Sequence, residues 1–234
     1  MAQFTLYILE NSWGLNPIKI GIFLEELGLD YELKGLELNS TDKEKGVKGE
    51  NYLAISPNGR TPTLVDHKNN DFTVWESGAI LQYLQNKYDT SNKYGSKSVE
   101  EQAIIDEWLF FQVTGHSPVQ GNLYFAKNSW KKTYGEDPPQ NVIARFSTEL
   151  HRVLNVYEKQ LEKQAQKNGD DNAWLALDHP TIADFSALAW FSILPLRAEV
   201  LEVDLAKYPF ISKYIAHGTQ RPSFEAVRKQ IIFK

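Results

Sequence analysis

The sequence predicts an α/β N-terminal domain over residues 1–89, followed by an all-α domain over residues 98–234. Three observations lead to this fold class. Short runs rich in aromatic and branched residues stop near residue 88, whereas apolar residues at helical spacing dominate the later part. The polar, glycine-containing stretch 89–97 between them is typical of a linker. With 234 residues, 42% of them hydrophobic, the chain can build an ample core.

The first domain is expected to follow the order β-α-β-(α)-β-β-α. A strand at Phe4–Leu9 precedes a helix, for which Asn16 is expected as the N-cap, Pro17 as the first helical residue and Gly28 as the stop. Strand-like residues return at Tyr31–Leu38. The remaining predicted elements are a short helix or turn at 52–55, strands at 63–65 and 72–75, and a helix that residues 76–78 open. A parallel β-α-β start with a hairpin and a closing helix predicts a sheet covered by helices.

The second domain is expected to contain helices alone. Ser98 and Glu101 have capping-box spacing and open the first helix, which Gly115 to Pro118 are expected to kink or interrupt. Thr181 and Asp184 form a second capping arrangement before a helix that is hydrophobic on most sides. A polar loop at 127–136, a long helix from 137 to 168, and short helices at 210–215 and 223–231 complete the prediction.

Composition counts against several functional classes. A formal net charge of −5 argues against a nucleic-acid or anionic-membrane partner. The absence of cysteine removes disulfides, thiolate metal sites and a cysteine nucleophile. The five histidines lack metal-ligand spacing, so no metal is expected. The start of the chain lacks a basic region followed by an apolar one, and no apolar run is long enough to cross a bilayer, so a cytoplasmic protein is the expectation.

The segment Ser56–Leu84 contains the first candidate ligand site. Pro62 restricts Thr61 to an extended conformation, in which the amide and carbonyl of Thr61 face outward and can pair with an extended ligand. Ser77 stands at the start of a helix, where the helix dipole favours a carboxylate, and Glu76 beside it can hold an ammonium. The residues alone leave open a simpler interpretation, in which Pro62 makes a turn and Ser77 only caps the helix.

The loop after the first strand is the second candidate. In a β-α unit this loop lies at the carboxyl end of the strand, where ligands commonly bind. Asn16 either caps the first helix or offers its amide hydrogens to an anion, and Trp13 either covers a ligand or shields the core. The residues alone do not decide between these alternatives.

Four sequence motifs together resemble the glutathione transferases. They are N-G-R-T-P-T-L-V-D-H at 58–67, W-E-S-G-A-I-L-Q-Y-L at 75–84, W-L-F-F-Q-V-T-G-H-S-P at 108–118 and T-I-A-D-F at 181–185. The chain is most similar to the class named after the yeast nitrogen-regulation prion protein, with its fungal and bacterial relatives. The resemblance implies a thioredoxin-like N-terminal domain that binds glutathione, an all-α domain that shapes the acceptor pocket, and a homodimer.

The resemblance also assigns roles to the candidate residues. Thr61 corresponds to the residue before the family's cis-proline, whose main chain pairs with the cysteinyl unit of glutathione. Glu76 and Ser77 correspond to the pair that holds the γ-glutamyl end of glutathione. Asn16 corresponds to the class asparagine near the sulfur, and Arg145 to an arginine that reaches glutathione in the neighbouring subunit.

The sequence departs from the family pattern in both glutathione-contacting loops. Gly14-Leu15 replaces the common Thr/Ser/Ala-Pro, which leaves Asn16 as the main side-chain candidate near the sulfur. Val47 falls where relatives carry Gln or His toward the glycine end of glutathione. Lys48 or Lys45 is expected to replace that contact electrostatically.

The implied chemistry begins with activation of the glutathione thiol. A free thiol of this kind has a pKa near ~8.5, and one hydrogen bond to its thiolate, worth about 1.5–3 kcal/mol, lowers that pKa by about one to two units. Asn16 is expected to supply this bond, and the dipole of the first helix acts in the same direction. Since the chain has no cysteine, the glutathione thiolate itself attacks either an electrophilic carbon or a disulfide. Peroxide reduction is a further activity that the class resemblance implies.

An acceptor pocket is expected among aromatic residues of the second domain. Phe111, His116 and Tyr124 are its candidate lining, although an aromatic stripe on a helix is also typical of a core. The expected acceptor is a small hydrophobic electrophile, a disulfide or a peroxide, in detoxification or oxidative stress. Thr181 and Asp184 correspond to the family's structural capping box and are assigned to stability. The alternative function is a non-catalytic ligand carrier or regulatory protein that keeps the transferase fold.

Overall fold

The computed structural model describes residues 2–10, 12 and 14–232. One compact unit consists of the described parts of Met1–Gly95 and Gln220–Lys234, and the other of Ser96–Thr219. The first unit combines a sheet with helices, whereas the second, which is described throughout, contains helices and no strand. The predicted fold class, an α/β domain joined to an all-α domain, is confirmed.

The described strands of the first unit form one mixed sheet. They are β1 (Phe4–Leu9), β2 (Tyr31–Leu36), β3 (Thr63–Asp66) and β4 (Phe72–Trp75), in the order β2-β1-β3-β4. β1 and β2 are parallel, whereas β3 is antiparallel to β1 and β4 is antiparallel to β3. The parallel β-α-β start and the following hairpin are therefore present as the sequence predicts.

Helices cover this sheet and close its core. They are α1 (Leu15–Leu27), α2 (Glu50–Ile55), α3 (Ser77–Tyr88) and, from the far end of the chain, α11 (Pro222–Ile232). α1 packs against both α3 and α11. The side chains without solvent exposure in this core include Phe4, Leu6, Ile20, Ile22, Phe23, Leu24, Ile80, Leu81 and Leu84.

The position of α11 corrects the predicted domain limits. The sequence predicts a second domain over all of 98–234, but the chain from Gln220 onward returns to the first unit. There Arg221 donates hydrogen bonds to the Glu26 carboxylate on α1 over 2.7 Å, and Val227 is buried. The sequence of such a short amphipathic helix does not indicate which of the two hydrophobic cores the helix packs against, because its apolar stripe fits either core.

The second unit consists of seven α-helices and shorter helical turns, and all of its residues are described. The α-helices are α4 (Val99–Phe110), α5 (Ser117–Asn128), α6 (Trp130–Tyr134), α7 (Gln140–Asn168), α8 (Ile182–Phe191), α9 (Leu194–Leu201) and α10 (Pro209–Thr219). A π-helical turn, Phe111–His116, joins α4 to α5 at the predicted interruption. α6 lies inside the predicted polar loop at 127–136, where the prediction of a loop was wrong.

The predicted capping box at Thr181 and Asp184 is complete, whereas the one at Ser98 and Glu101 forms only the bond to the serine, because the Glu101 carboxylate accepts from the Lys97 amide instead. The Glu101 amide donates to Ser98 Oγ over 3.2 Å at the start of α4. At the start of α8, the amide and hydroxyl of Thr181 donate to Asp184 Oδ2 over 2.8 and 2.9 Å. α8 is buried along its whole length, as its uniformly apolar sequence predicts.

No helix among the described residues is both long and apolar enough to span a membrane. No group of three or more histidine, aspartate and glutamate side chains within the described ranges is arranged to hold a metal ion.

Candidate functional site

Strand register brings three predicted site segments to one edge of the sheet. Tyr7 of β1 pairs with Thr63 of β3, so the end of β1 and the segment before β3 lie at the same edge. Thr63 also pairs with Trp75, the last residue of β4, so that Glu76 leaves the sheet at this edge too. α1 starts after the loop that follows β1. The fold of the main chain therefore brings the segments around Asn16, Thr61 and Glu76, which are far apart in sequence, to the same edge of the sheet.

The loop before β3 is held in shape by side chains on its inner side. The Thr61–Pro62 peptide bond is cis, as the resemblance implied. Tyr52 Oη donates to the Arg60 carbonyl over 2.8 Å, and Gly59, at a φ of 59°, makes the turn that precedes it. Among the described residues, the Thr61 main chain has no hydrogen-bond partner. An extended ligand can therefore pair with the amide and carbonyl of Thr61.

Lys48 contributes to this loop in a way that the sequence did not indicate. Its ammonium donates to the carbonyls of Gly59, over 2.8 Å, and Asn58, over 3.1 Å. These bonds fix the turn before Arg60 and use two of the three donors of the ammonium. The contact of Lys48 with the glycine end of glutathione remains a prediction, and the third donor of the ammonium would make it.

Glu76 has a main-chain conformation that residues other than glycine rarely adopt. Its φ is 70° and its ψ is 118°, and it directly precedes α3. Such a conformation in a residue other than glycine costs on the order of 1–3 kcal/mol and is often found at ligand sites. The Glu76 carboxylate is exposed, and Asn58 Nδ2 lies 3.4 Å from one of its oxygens. The carboxylate is therefore presented to solvent at the edge that also holds Thr61.

Ser77, the first residue of α3, contacts a buried lysine that is not among the predicted site residues. Lys19 of α1 is fully buried, and its Nζ lies 3.3 Å from Ser77 Oγ. Burial lowers the pKa of Lys19 to about 7, and the charge of Glu76 opposes this shift. The available signal was the position of a lysine within the otherwise apolar stretch Ile18–Leu24 of a helix.

The start of α1 differs from the prediction. The helix begins at Leu15 with Gly14 as the N-cap, so Asn16 and Pro17 are its second and third residues instead of N-cap and first residue. Gly14 has a φ of 74°, which favours glycine, and Pro17 fits any position in a first turn, where amides have no partner within the helix. Asn16 therefore stays at the site edge but does not cap the helix. Trp13 lies outside the described residues.

The three predicted acceptor-pocket residues lie in different surroundings of the second unit. His116 is fully buried between the rings of Tyr157 and Phe191, with Nε2 2.8 Å from Gln120 Oε1. A side chain without solvent exposure cannot line an open pocket, so the prediction for His116 was wrong and its surroundings are those of a core residue. Phe111 is half-buried, and its ring packs against the ring of Tyr157, with 5.1 Å between centroids.

Tyr124 and Arg145 are closer to solvent. The Tyr124 ring is half-buried, and the guanidinium of Arg197 lies 3.9 Å from its centroid. Arg145 is exposed on α7 and lines an open groove of about 690 Å³. The other residues of this groove are Thr114, Gly115, Val119, Asn141, Ala144, Phe146, Thr148 and Glu149. Arg145 thus presents a positive charge to solvent on a partly apolar surface.

Comparison with known proteins gives matches over both units. The family model of the glutathione S-transferase N-terminal domain matches residues 2–86, and that of the C-terminal domain matches residues 123–222. Glutathione S-transferase 1 of Schizosaccharomyces pombe is 33% identical over 99% of this chain and 99% of that one. Among solved structures, the glutathione transferase URE2P6 of Phanerochaete chrysosporium in complex with oxidized glutathione is 36% identical, with a TM-score of 0.81 over 99% of this chain and 97% of that one. The nitrogen regulation fragment of the yeast prion protein Ure2p is 29% identical, with a TM-score of 0.83 over 97% and 96%.

Proposed function

This chain belongs to the glutathione S-transferase family, in the class of the Ure2 proteins, and from that premise we propose that it activates the thiol of glutathione for conjugation to electrophiles and for reduction of disulfides or peroxides. Its co-substrate is glutathione, as the sequence predicted. The proposal also includes a cytoplasmic homodimer that acts in detoxification and oxidative stress.

One observation carries the proposal: a single sheet edge offers a main-chain pair, a carboxylate and a hydroxyl. Thr61 has an amide and a carbonyl for the peptide-like middle of glutathione. Glu76 has an exposed carboxylate for the ammonium of the γ-glutamyl group, and Ser77 has a hydroxyl for its carboxylate. A zwitterionic amino-acid head followed by a peptide bond matches this set of donors and acceptors.

Activation of the thiol is assigned to the start of α1. The Asn16 amide donates a hydrogen bond to the sulfur, which stabilises the thiolate over the thiol. The N-terminal dipole of α1 adds a favourable field for negative charge at the same place. Together they make the thiolate a major form near neutral pH without a protein base, because the ordinary thiol pKa of ~8.5 has to fall by only about one to two units.

The thiolate then reacts with one of three kinds of acceptor. With an electrophilic carbon, a carbon–sulfur bond forms as the leaving group departs with its electron pair. With a disulfide, a new sulfur–sulfur bond forms and one thiolate is released, and a second glutathione completes the reduction. With a peroxide, attack on oxygen forms the sulfenic acid of glutathione and releases an alkoxide, which takes up a proton to become the alcohol. A second glutathione then converts the sulfenic acid to the disulfide with loss of water. The sequence has no cysteine, so no covalent bond to the protein is part of any route.

Asn16→Ala tests the proposal. The pKa of the bound thiol, followed by the ultraviolet absorbance of the thiolate, is expected to rise by about one to two units. Turnover of an aryl halide, hydroxyethyl disulfide and an organic peroxide should fall together at neutral pH. Asn51→Ala, which removes an exposed amide on α2, is the matched control and should leave both quantities unchanged. An unchanged thiol pKa and turnover in Asn16→Ala would exclude the role of Asn16.

The second candidate function is a carrier or regulatory protein, favoured by the likeness to the nitrogen regulation fragment of yeast Ure2p. The same substrates distinguish the two functions. Retention on immobilised glutathione with turnover of at least one acceptor supports the transferase. Retention without turnover of any acceptor supports the carrier.

A further inference from the structure

Lys19 is a fully buried lysine in the first unit. It has no solvent exposure, although it sits in a helix face otherwise made of apolar side chains. A buried ammonium is costly unless hydrogen bonds and opposite charge stabilise it. The burial of Lys19 therefore calls for a functional explanation, and the contact of its Nζ with Ser77 suggests one.

The contact with Lys19 fixes what the Ser77 hydroxyl can do. An ammonium only donates hydrogen bonds, so over the 3.3 Å between Nζ and Oγ the serine oxygen is the acceptor. The hydroxyl hydrogen of Ser77 must then point away from Lys19. Ser77 is itself 5% exposed and is the first residue of α3, at the ligand edge of the sheet. The lysine thus orients the serine as a donor toward that edge.

We propose that Lys19 is a positioning residue for glutathione: acting through Ser77, its buried ammonium supplies the positive charge that holds the γ-glutamyl carboxylate. The inference rests on the proposed glutathione site and assigns to it a positive charge, which the side chains of Glu76, Ser77 and Thr61 do not provide. Ser77 makes the direct contact, and Lys19 strengthens it by polarising the hydroxyl and by the field of its buried charge.

The proposal has a consequence for the pH dependence of binding. Burial holds the pKa of Lys19 down to about 7 in the free protein, with Glu76 acting against it. A ligand carboxylate at Ser77 adds a second negative charge and raises that pKa. Binding then takes up a proton, so affinity is highest below about pH 7 and falls as the pH rises from the free pKa toward the bound pKa. A rise of one pKa unit corresponds to about a tenfold loss of affinity.

Other charges near α1 do not replace this effect. α3 brings Glu76, the group that acts electrostatically on Lys19. Arg221, directly before α11, is paired with Glu26, and the Tyr94 hydroxyl also donates to Glu26. Glu26 lies two turns along α1 from Lys19, on the order of 10 Å. β1 contributes Tyr7, whose ring packs against Tyr52.

The test uses S-methylglutathione, which has no ionisable thiol, and measures its dissociation constant by calorimetry between pH 6 and pH 8.5. In the unaltered protein the constant is expected to rise severalfold to tenfold over this range, with proton uptake seen as a dependence of the heat on the ionisation enthalpy of the buffer. Lys19→Met should bind at least tenfold more weakly at pH 6 and should show no pH dependence. Lys19→Arg keeps the charge at every pH and should restore affinity while the pH dependence stays absent. Lys163→Met, an exposed lysine on α7, is the control and should behave like the unaltered protein.

The outcomes separate the inference from the function on which it rests. Binding of S-methylglutathione without proton uptake in the unaltered protein overturns the role of Lys19 and leaves the glutathione site standing. A Lys19→Met variant that keeps the full affinity and pH dependence does the same. If Lys19→Met does not fold, the proton uptake of the unaltered protein and its loss in Ser77→Ala decide the question. Absence of binding to the unaltered protein overturns both proposals.

Discussion

Glu26 is a buried carboxylate whose charge is neutralised by neighbours from distant parts of the chain. Its side chain is 6% exposed and accepts hydrogen bonds from Arg221, Ser223 and Tyr94 over 2.5–2.7 Å. Burial acts to raise the pKa of Glu26, but the hydrogen bonds from Arg221, Ser223 and Tyr94 outweigh it, so the pKa lies below its usual 4.5. The carboxylate is therefore charged in the folded protein at every pH near neutrality.

Arg221→Met is expected to reduce the free energy of unfolding by about 3 kcal/mol at pH 7, because it leaves Glu26 buried without its cation. The pKa of Glu26 is lower in the folded protein than in the unfolded chain. The stabilisation is therefore complete above pH 4.5 and is lost as the pH falls through the pKa of the folded state. Urea unfolding at pH 7 and at acid pH measures both effects, and the difference from the unaltered protein should shrink in acid. Arg228→Met breaks an exposed pair with Glu225 and should change stability by less than about 1 kcal/mol. Equal effects of the two substitutions would contradict the assignment.

Glu76→Gly separates stability from binding at the strained residue. Glycine adopts a positive φ without steric cost, so the variant is expected to be as stable as the unaltered protein or more stable by up to about 1 kcal/mol. Loss of the carboxylate should weaken glutathione binding by about tenfold or more, because the ligand ammonium loses a charged partner. Thermal unfolding and calorimetry measure the two quantities. Glu202→Gly relaxes a residue with a φ of 56° at the end of α9 and should leave glutathione affinity unchanged.

At the scale of elements, α8 depends on the carboxylate that caps it. Asp184 is fully buried and accepts bonds from the Leu175 amide, from the amide and hydroxyl of Thr181 and from the Tyr214 hydroxyl, at 2.8–2.9 Å. Each buried donor that loses its acceptor costs about 1–3 kcal/mol. The cap therefore joins α8, α10 and the segment before α8 into one structure.

Asp184→Ala is accordingly expected to lower the free energy of unfolding by about 3 kcal/mol or more, and Thr181→Ala by about 1 kcal/mol. Urea unfolding followed by circular dichroism measures both values. Asp178→Ala removes an exposed carboxylate six residues before Asp184 and should change stability by no more than about 0.5 kcal/mol. A similar loss in Asp178→Ala and Asp184→Ala would show that burial of the cap is not the cause.

Elements with local signals were predictable from the sequence, and elements set by distant contacts were not. Ser98 and Thr181 predict where their helices start, because the capping hydrogen bond forms within one turn of the helix. α6 was missed because its five residues are supported by ring contacts from Trp130 to Phe125 and Tyr134. The start of α1 was predicted two residues too late, with Asn16 instead of Gly14 as the N-cap. Pro17 has no amide hydrogen to donate, so it fits any position of the first turn and does not mark the first residue.

The candidate site follows the same division. The family motifs were sufficient to place Thr61, Glu76 and Ser77, because strand register then carries them to one edge. Lys19 was not predicted, since the sequence of a helix does not say which side chain will meet the start of another helix. His116 was misassigned because an aromatic stripe on a helix has the same sequence pattern in a pocket and in a core.

At the scale of the whole molecule, β4 leaves an apolar edge in solvent. In the described sheet β4 is a terminal strand, and Phe72 and Trp75 on it are 48% and 39% exposed. An exposed strand edge with large apolar side chains is typical of a surface that another chain covers. This agrees with the homodimer included in the proposed function.

Sedimentation equilibrium is expected to give twice the chain mass of 26.8 kDa. Phe72→Lys should shift the protein toward the monomer, because it places a charge on the edge that we propose as the dimer interface. Leu196→Lys alters a side chain that is 85% exposed on α9 and should leave the dimer intact. A dimer that is unaffected by Phe72→Lys would exclude the β4 edge from the interface.

The return of α11 to α1 has a consequence for synthesis on the ribosome. The two helices are separated by roughly 200 residues, which a ribosome takes about 10–40 s to add at ~5–20 residues per second. During that time the nascent chain exposes the face of α1 that α11 later covers, so it is open to chaperones and to wrong partners. A ribosome that stops before Arg221 would release a chain with every proposed glutathione-binding residue but without the helix that completes their unit.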